Sequence, residues 1–204
     1  MPNARPVAIA ILAKAPIPGL TKTRLIPSIG AHAAAALQER LTARAVETAV
    51  EAGVGPVTLW CAPDPSHLSF RELLTCHQIT LKRQSDGDLG MRMVAAMAEG
   101  PTLVVGADCP ALTPAYLHDA ADALHDADVV LIPAEDGGYV LIGARATQPE
   151  LFSGMAWGTS AVLSETRARI SALGLKSAEL PALWDLDTEA DLARFERMFP
   201  EMAL

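Results

Sequence analysis

The stretch Val7-Ala8-Ile9-Ala10-Ile11-Leu12-Ala13 is apolar at every position. A run of this length without polar alternation is typical of a strand that is covered on both faces of a sheet. Similar short runs recur along the chain, with amphipathic or Ala-rich stretches between most of them: Val57–Cys61, Ile79–Leu81, Thr102–Val105, Val129–Ile132 and Tyr139–Ile142. This is the rhythm of βαβ units. It predicts a three-layer α/β/α fold with a mostly parallel sheet.

Two of the intervening segments carry signals for a helix start. Thr113–Pro114 offers a capping hydroxyl before a proline at the first helical position, which predicts a helix to about Leu124. Thr188, followed three residues later by Asp191, approximates a capping box and predicts a last helix that reaches about Met198.

Two further segments carry signals for a helix end. The Ala- and Leu-rich stretch Ala31–Ala52 is expected to be the longest helix, and Gly53 is expected to stop it. A second helix is predicted to be capped by Thr159 or Ser160, to run through Leu173 and to end at Gly174.

Length and composition narrow the class of protein. With 204 residues, of which 50% are hydrophobic, the chain is expected to form one domain, residues 1–204, with a substantial core. The formal net charge of -8 argues against a nucleic-acid-binding surface and favours a small-molecule ligand. The first apolar run is too short to span a membrane. Three widely spaced cysteines indicate neither a disulfide framework nor a zinc site, so the expected setting is a reducing cytoplasm: Cys61, Cys76 and Cys109.

In an open α/β sheet, ligands bind beyond the carboxyl ends of the strands, so the loop after the first strand is the first candidate site. It contains three cations and a glycine, which can together wrap a polyphosphate or, alternatively, form a solvated basic loop. The residues predicted to bind the nucleotide here are Lys14, Gly19, Lys22, Thr23 and Arg24. The segment is not a Walker loop, and no GxGxxG follows the strand, which weighs against a dinucleotide-dependent oxidoreductase.

Acidic residues follow later strands. Asp108 stands at the tip of the fourth strand, where a lone carboxylate can bind Mg²⁺ or can simply form a turn. Asp185 and Asp187 alternate before the last helix, so they are expected to point the same way, although Asp187 alone could serve the helix start.

Two glycine-containing loops complete the candidates. One is either the substrate side of the site or an ordinary hairpin turn; it comprises Glu135, Asp136, Gly137, Gly138 and Tyr139. The other either surrounds a base or ribose or is a turn before a helix that contains Arg92; its candidates are Gly87, Asp88 and Gly90. Cys109 and the histidines are expected to be structural.

With these motifs, the sequence resembles the bacterial DUF2064 family of GT-A-type transferases, also called selenodomain-associated transferase 1. The resemblance covers nearly the whole chain, through AKAPIPGLTKTRL, QSDGDLGMRM, GADCPALT, PAEDGGYVLIG, WGTS and DLDTEADL. More widely, the sequence is similar to guanylyltransferases of the phospholactate and molybdenum-cofactor type.

The resemblance implies a GT-A-like, nucleotide-diphospho-sugar transferase fold and a set of roles. Lys22 and Arg24 would hold phosphates, and Asp108 would bind Mg²⁺ (or Mn²⁺) with a second carboxylate from Asp187 or Asp185. The acceptor side would include Glu135, Asp136, Gly137, Gly138, Tyr139, Trp157 and Thr159. The usual glycosyltransferase DxD is here Asp108-Cys109-Pro110, which has one acid.

Three functions follow as hypotheses. The preferred one is Mg²⁺-dependent nucleotidyl transfer from a nucleoside triphosphate to a small anionic acceptor, with Lys22, Arg24 and Asp108 in catalysis. The second is glycosyl transfer from a nucleotide-sugar, with Asp136 as a base for the acceptor hydroxyl. The third is a nucleotide-binding module without catalysis.

Overall fold

The computed structural model describes residues 6–202 of the chain. Within this range the strands are β1 (Ala8–Lys14), β2 (Val57–Ala62), β3 (Ile79–Arg83), β4 (Thr102–Gly106), β5 (Val129–Pro133), β6 (Tyr139–Ala144) and β7 (Ser177–Glu179). The α-helices are α1 (Ile26–Ala52), α2 (Leu68–Cys76), α3 (Leu89–Ala96), α4 (Pro114–Asp126), α5 (Val162–Ala172) and α6 (Glu189–Met198). No helix in the described part of the chain is long and apolar enough to cross a membrane.

The strands form one sheet in the order β3-β2-β1-β4-β6-β5-β7. β6 runs antiparallel to both β4 and β5, and the other neighbouring strands pair in parallel. The predicted α/β fold with a mostly parallel sheet is therefore confirmed. Because β6 is antiparallel, its first residue, Tyr139, lies at the same sheet edge as the carboxyl ends of β1 and β4, which places the β5–β6 hairpin beside them.

Both sheet faces are covered, which makes the three layers. On one face, Val46 of α1, Phe70 of α2 and Leu117 of α4 are buried in the same cluster as the β1 residues Ile9 and Ile11. On the other, helices α3 and α5 and a short turn of helix pack over the sheet, through Met93, Leu151, Leu163 and Ile170. A third cluster joins α6 to α1 through Leu37, Leu41, Trp184, Leu192 and Phe195.

The helix predictions are confirmed in their location but not in every cap. α1 has a non-helical break at Gly30, with φ 78° and ψ 160°, so its regular part begins at Ala31 as expected, and Gly53 ends it in the left-handed conformation. α4 begins at Pro114, but the Thr113 side chain makes no capping hydrogen bond.

The predicted cap of α5 is wrong. The helix begins at Val162 with Ala161 at its cap position, and it ends at Ala172, close to the predicted Leu173. The Thr159 hydroxyl donates instead to the Ala156 carbonyl at 2.9 Å, because the WGTS segment forms its own turn before the helix. The sequence signals also missed the edge strand β7 and helix α2, which has a His67 cap.

The capping box of α6 forms as predicted. The Thr188 hydroxyl accepts from the Asp191 backbone N–H at 3.4 Å, and the Asp191 carboxylate accepts from the Thr188 N–H at 2.8 Å. The same carboxylate also accepts from the backbone N–H of Asp187 at 3.2 Å. The helix start thus fixes the backbone that carries a candidate site residue.

We expect Thr188→Ala to lower the free energy of unfolding by about 1 kcal/mol, because the helix loses an N-terminal acceptor. In a protein of this size the melting temperature should fall by roughly 2–4 °C. Thr75→Ala, at an exposed position of helix α2, is the control and should cause no loss. Equal melting temperatures for wild type and Thr188→Ala would contradict a stabilising cap.

Candidate active site

A cleft of about 520 Å³ opens at the carboxyl edge of the sheet. It is bordered by the loop after β1, the tip of β4, the start of β6 and the segment before α6. Eight of the sequence-predicted site residues line it: Lys14, Lys22, Thr23, Arg24, Asp108, Tyr139, Asp185 and Asp187. The sheet edge brings together residues that are up to 173 positions apart in sequence, which supports the choice of these loops as the candidate site.

Lys22 is at the centre of the polar part of this cleft. Its ammonium lies 3.0 Å from Asp187 Oδ1 and 3.7 Å from Asp108 Oδ2, and it donates to the Leu186 carbonyl at 2.6 Å. Its side chain is only 4% exposed, whereas those of the two acids are about 40% exposed. Lys22 therefore joins the first loop to both acidic segments while one side of each carboxylate stays open to the cleft.

The backbone at this point is specialised. Lys22 has φ 46°, the only positive φ of a non-glycine residue within residues 6–202. A lysine in this conformation is held by its surroundings, here by the contacts of its ammonium and by the turn that follows. At β4, a Cβ on Gly106 would stand 2.5 Å from Asp108 Oδ1, so glycine leaves room for the carboxylate to fold back over the strand tip.

Asp185 lies deeper than the other two acids. Burial is the main cause that raises the pKa of its carboxyl to about 8, well above the usual value of an aspartate. Nearby carboxylates raise the pKa further and Lys22 lowers it; the carboxylates are Asp108, Asp136 and Asp187. At neutral pH the Asp185 carboxyl is therefore protonated in the folded protein, and the open pair is Asp108 and Asp187.

These acids fit one kind of divalent metal site. Among the described residues, no three His, Cys, Asp or Glu side chains are grouped as a complete metal site. Mg²⁺, however, usually binds one or two protein carboxylates and takes its other ligands from water and substrate phosphates. Asp108 and Asp187 match that requirement, since both contact the same ammonium and both are partly exposed. The residues fit Mg²⁺ bound together with a phosphate ligand.

The second cation of the loop lies further out. Arg24 approaches Asp187 Oδ2 at 3.8 Å, and its side chain is 71% exposed. Lys14, at the end of β1, is exposed and lines the cleft. Gly19, with φ 86°, lies at the loop turn outside the cleft.

Most of the predicted site residues in the hairpin between β5 and β6 do not line the cleft. Asp136 Oδ1 accepts from the Gly138 N–H at 2.8 Å, which is the hydrogen bond of an ordinary turn. A Cβ on Gly137 would meet the Ser160 carbonyl oxygen at 2.4 Å, so this glycine permits close packing. Glu135 forms a two-pronged ion pair with Arg194 of α6, at 2.8 and 3.2 Å. Of this loop, only Tyr139 lines the cleft.

The loop before α3 and the WGTS segment lie beside the cleft rather than in it. Asp88 caps α3 by accepting from the Met91 N–H at 2.9 Å, and Gly87 adopts φ 103°. A Cβ on Gly90 would clash with Phe152 and Trp157, whose rings stack at 6.5 Å. The predicted site residues of these two segments therefore make packing, capping or turn contacts within the protein and do not line the cleft: Gly87, Asp88, Gly90, Trp157 and Thr159.

The family described as "Uncharacterized protein conserved in bacteria (DUF2064)" matches residues 43–159, more than half of the chain. The chain belongs to this DUF2064 family. A search of curated protein sequences finds no significant match.

Solved structures extend the comparison. A "putative nucleotide-diphospho-sugar transferase" from Desulfovibrio desulfuricans G20 has 28% identity and a TM-score of 0.85, over 95% of this chain and 87% of the other. A nucleotidyl transferase from Methanothermobacter thermautotroptrophicus has 18% identity and a TM-score of 0.63, over 96% and 98%. Rv0371c from Mycobacterium tuberculosis H37Rv, solved with manganese, has 14% identity and a TM-score of 0.51, over 92% and 97%. The GT-A-like fold of this DUF2064 protein is thus confirmed, and these neighbours include named transferases.

Sequence reasoning did not select two further cleft residues of this DUF2064 protein, Gln84 and Arg92. Gln84 is the residue after β3, and Arg92 is in the helix that follows the loop. The signal was available, because a polar residue directly after a predicted strand reaches the same sheet edge as Asp108.

The Asp185 carboxyl should make the stability of the metal-free protein depend on pH. An aspartate in the unfolded chain has a pKa near 4, whereas that of Asp185 in the fold is about 8. Between these values only the folded state keeps the proton, so this group's contribution to stability is lost as the pH rises towards 8.

We therefore expect Asp185→Asn to melt at a higher temperature than wild type at pH 8, by more than the roughly 2–4 °C that corresponds to 1 kcal/mol in a protein of this size, with a smaller difference at pH 5. Thermal unfolding in EDTA measures this, and Asp119→Asn, an exposed site on α4, is the control. A gap between wild type and Asp185→Asn that stays constant with pH would contradict the protonated carboxyl.

Proposed function

We propose that this DUF2064 protein is a Mg²⁺-dependent, nucleotide-using transferase, and that it transfers a nucleotidyl group from a nucleoside triphosphate to a small anionic acceptor. The observation that carries the proposal is the position of Lys22, which contacts both Asp108 and Asp187 inside the cleft. An ammonium flanked by two half-open carboxylates suits a ligand that carries both phosphates and a divalent cation.

The chain's residues would act mainly by positioning. Lys22 and Arg24 would donate to phosphate oxygens, with Lys14 and Thr23 on the same loop beside them. Asp108 and Asp187 would hold the cation, which supplies positive charge against the phosphates when bound.

In the reaction, an acceptor oxygen attacks the α-phosphorus of the triphosphate. A new P–O bond forms, the bond between the α-phosphorus and the bridging oxygen breaks, and pyrophosphate leaves with the bonding electrons. An anionic acceptor oxygen has no proton to lose, so this step requires no general base. The cations of the loop would stabilise the charge that builds on the phosphates.

A second candidate is glycosyl transfer from a nucleotide-sugar. The name of the Desulfovibrio protein, at 28% identity, favours it. Here an acceptor hydroxyl must lose a proton, and Asp136 would be the base. Against this role, the Asp136 carboxylate already accepts a hydrogen bond within its own turn. The third candidate, a nucleotide-binding module without catalysis, requires neither acid to hold a metal.

We expect one nucleoside triphosphate to raise the melting temperature only when Mg²⁺ is present. At a hundred times its Kd the ligand should add about 2.7 kcal/mol of stability. Asp108→Ala and Asp187→Ala should abolish this shift and any pyrophosphate release, because they remove the carboxylates that would hold the cation. Asp119→Ala, which makes the same charge change at an exposed position of α4, should keep both the shift and the pyrophosphate release.

The other outcomes discriminate between the candidates. A shift confined to nucleotide-sugars would favour glycosyl transfer. A nucleotide shift that survives both acid-to-alanine changes would favour the non-catalytic module. No shift with any nucleotide would contradict the nucleotide site itself.

A further inference from the structure

Arg92 projects from α3 into the same cleft as Lys22, but its surroundings differ. It is half-buried, and its Nη1 donates to the side-chain oxygen of Gln84 at 3.2 Å. Its Nε is enclosed and has no hydrogen-bond partner within residues 6–202. Nη2 also makes no hydrogen bond within residues 6–202 but, unlike Nε, it is not enclosed, so it is the nitrogen left to reach a ligand.

Gln84 fixes the direction of that contact. Its side chain is buried, and its Nε2 donates to the Ala13 carbonyl at 3.0 Å and to the Trp60 carbonyl at 2.9 Å. These carbonyls belong to the ends of β1 and β2, so both amide hydrogens are used by the sheet. Only the oxygen remains, and it faces Arg92. The arginine is therefore held in place by strands rather than by a flexible loop.

Arg92 is not part of an ion pair among the described residues. In the part of the chain that the structure describes, no carboxylate comes within ion-pair distance of it. Lys22, by contrast, contacts two carboxylates. Partly buried charges are normally paired, because removing them from water is costly. A guanidinium that is oriented by a neutral amide keeps its full positive charge for a ligand.

We propose that Arg92, oriented by Gln84, forms an anion-binding subsite that receives a phosphate or carboxylate oxygen of a small-molecule ligand. A guanidinium fork suits both groups, since each presents two oxygens in a plane. The cleft would then bind negative charge at two places, on Lys22 with the acid pair and on Arg92. That the anion belongs to a substrate rests on the proposed function, whereas the binding of an anion does not.

The first experiment measures the binding of simple anions. Calorimetric titrations of the full-length protein use inorganic pyrophosphate, orthophosphate and malonate, without metal. Arg92→Gln should weaken the binding of at least one anion by about tenfold or more, which is the loss of one charged hydrogen bond. Arg92→Lys keeps the charge without the fork and should fall between. Arg71→Gln, at an exposed position of α2, makes the same charge change and should bind the anions as wild type does.

Folding is checked on the same variants. If Arg92 is a ligand-binding group, Arg92→Gln should melt no lower than wild type in the absence of anions, because the variant removes an unpaired charge and still offers an amide donor for the Gln84 oxygen. If Arg92 is structural, the melting temperature should fall without any ligand, and the proposal is overturned. Anion affinities of Arg92→Gln equal to those of Arg71→Gln would also overturn it.

A second series distinguishes the two sources of the anion. Titration with the triphosphate that passes the test of the proposed function shows whether Arg92→Gln weakens nucleotide binding. If it does, the subsite receives a nucleotide phosphate. If it does not, and malonate or orthophosphate still binds the nucleotide-loaded wild type about tenfold better than the variant, the subsite receives the acceptor. A change in preference among uncharged nucleosides would instead indicate a base contact and contradict the proposal.

Failure of this inference can be separated from failure of the proposed function. If no nucleotide shifts the wild-type melting temperature, the proposed function fails, yet the simple-anion titrations still test Arg92. If nucleotides bind with Mg²⁺ and the Arg92→Gln titrations match the control, only the anion subsite fails.

Discussion

The contacts of one buried ammonium hold the candidate site together. Lys22 comes from the loop after β1, yet it contacts the acid at the tip of β4 and the acid before α6. It also donates to the Leu186 carbonyl, while the Leu186 N–H donates to the Asp108 carbonyl at 2.9 Å. Three distant segments of the chain thus converge on one point. Without the cation, two carboxylates would face each other next to the buried Asp185, and the segments would repel.

A second set of contacts, outside the cleft, connects α6 with the acidic segment before it and with the β5–β6 hairpin. The Arg194 guanidinium lies 4.4 Å over the ring of Trp184, the residue before Asp185, and pairs with Glu135, the residue before Asp136. The Glu135 N–H also donates to the Leu183 carbonyl at 3.0 Å. Helix α6 therefore ties the hairpin to the acidic strand-like segment, and its capping box holds the Asp187 backbone. These contacts lie outside the cleft, so they support the geometry without occupying ligand space.

The fold was predictable from the sequence where local chemistry decides the structure. Gly53 ends α1, and Thr188 with Asp191 begins α6, because each signal depends on neighbouring backbone groups alone. The strand positions followed from apolar runs for the same reason. The direction of β6 was less accessible, since a buried antiparallel strand has the same apolar composition as a parallel one. The three-residue strand β7 has no apolar run, and its pairing with β5 alone defines it.

The candidate site was predictable in its location but not in the use of each side chain. Sheet topology places Lys22, Asp108 and Asp187 at one edge, and the motifs were sufficient to find them. The partner of each polar group depends on the tertiary structure, which sequence motifs do not reveal. Glu135 pairs with Arg194, while Gln84 donates its amide hydrogens to strand carbonyls. Glu135, in the glycine-rich loop, therefore stabilises the fold. Gln84, by contrast, orients Arg92 in the cleft. Whether a polar residue is free for a ligand depends on the contacts that remain after the chain has satisfied its own hydrogen bonds.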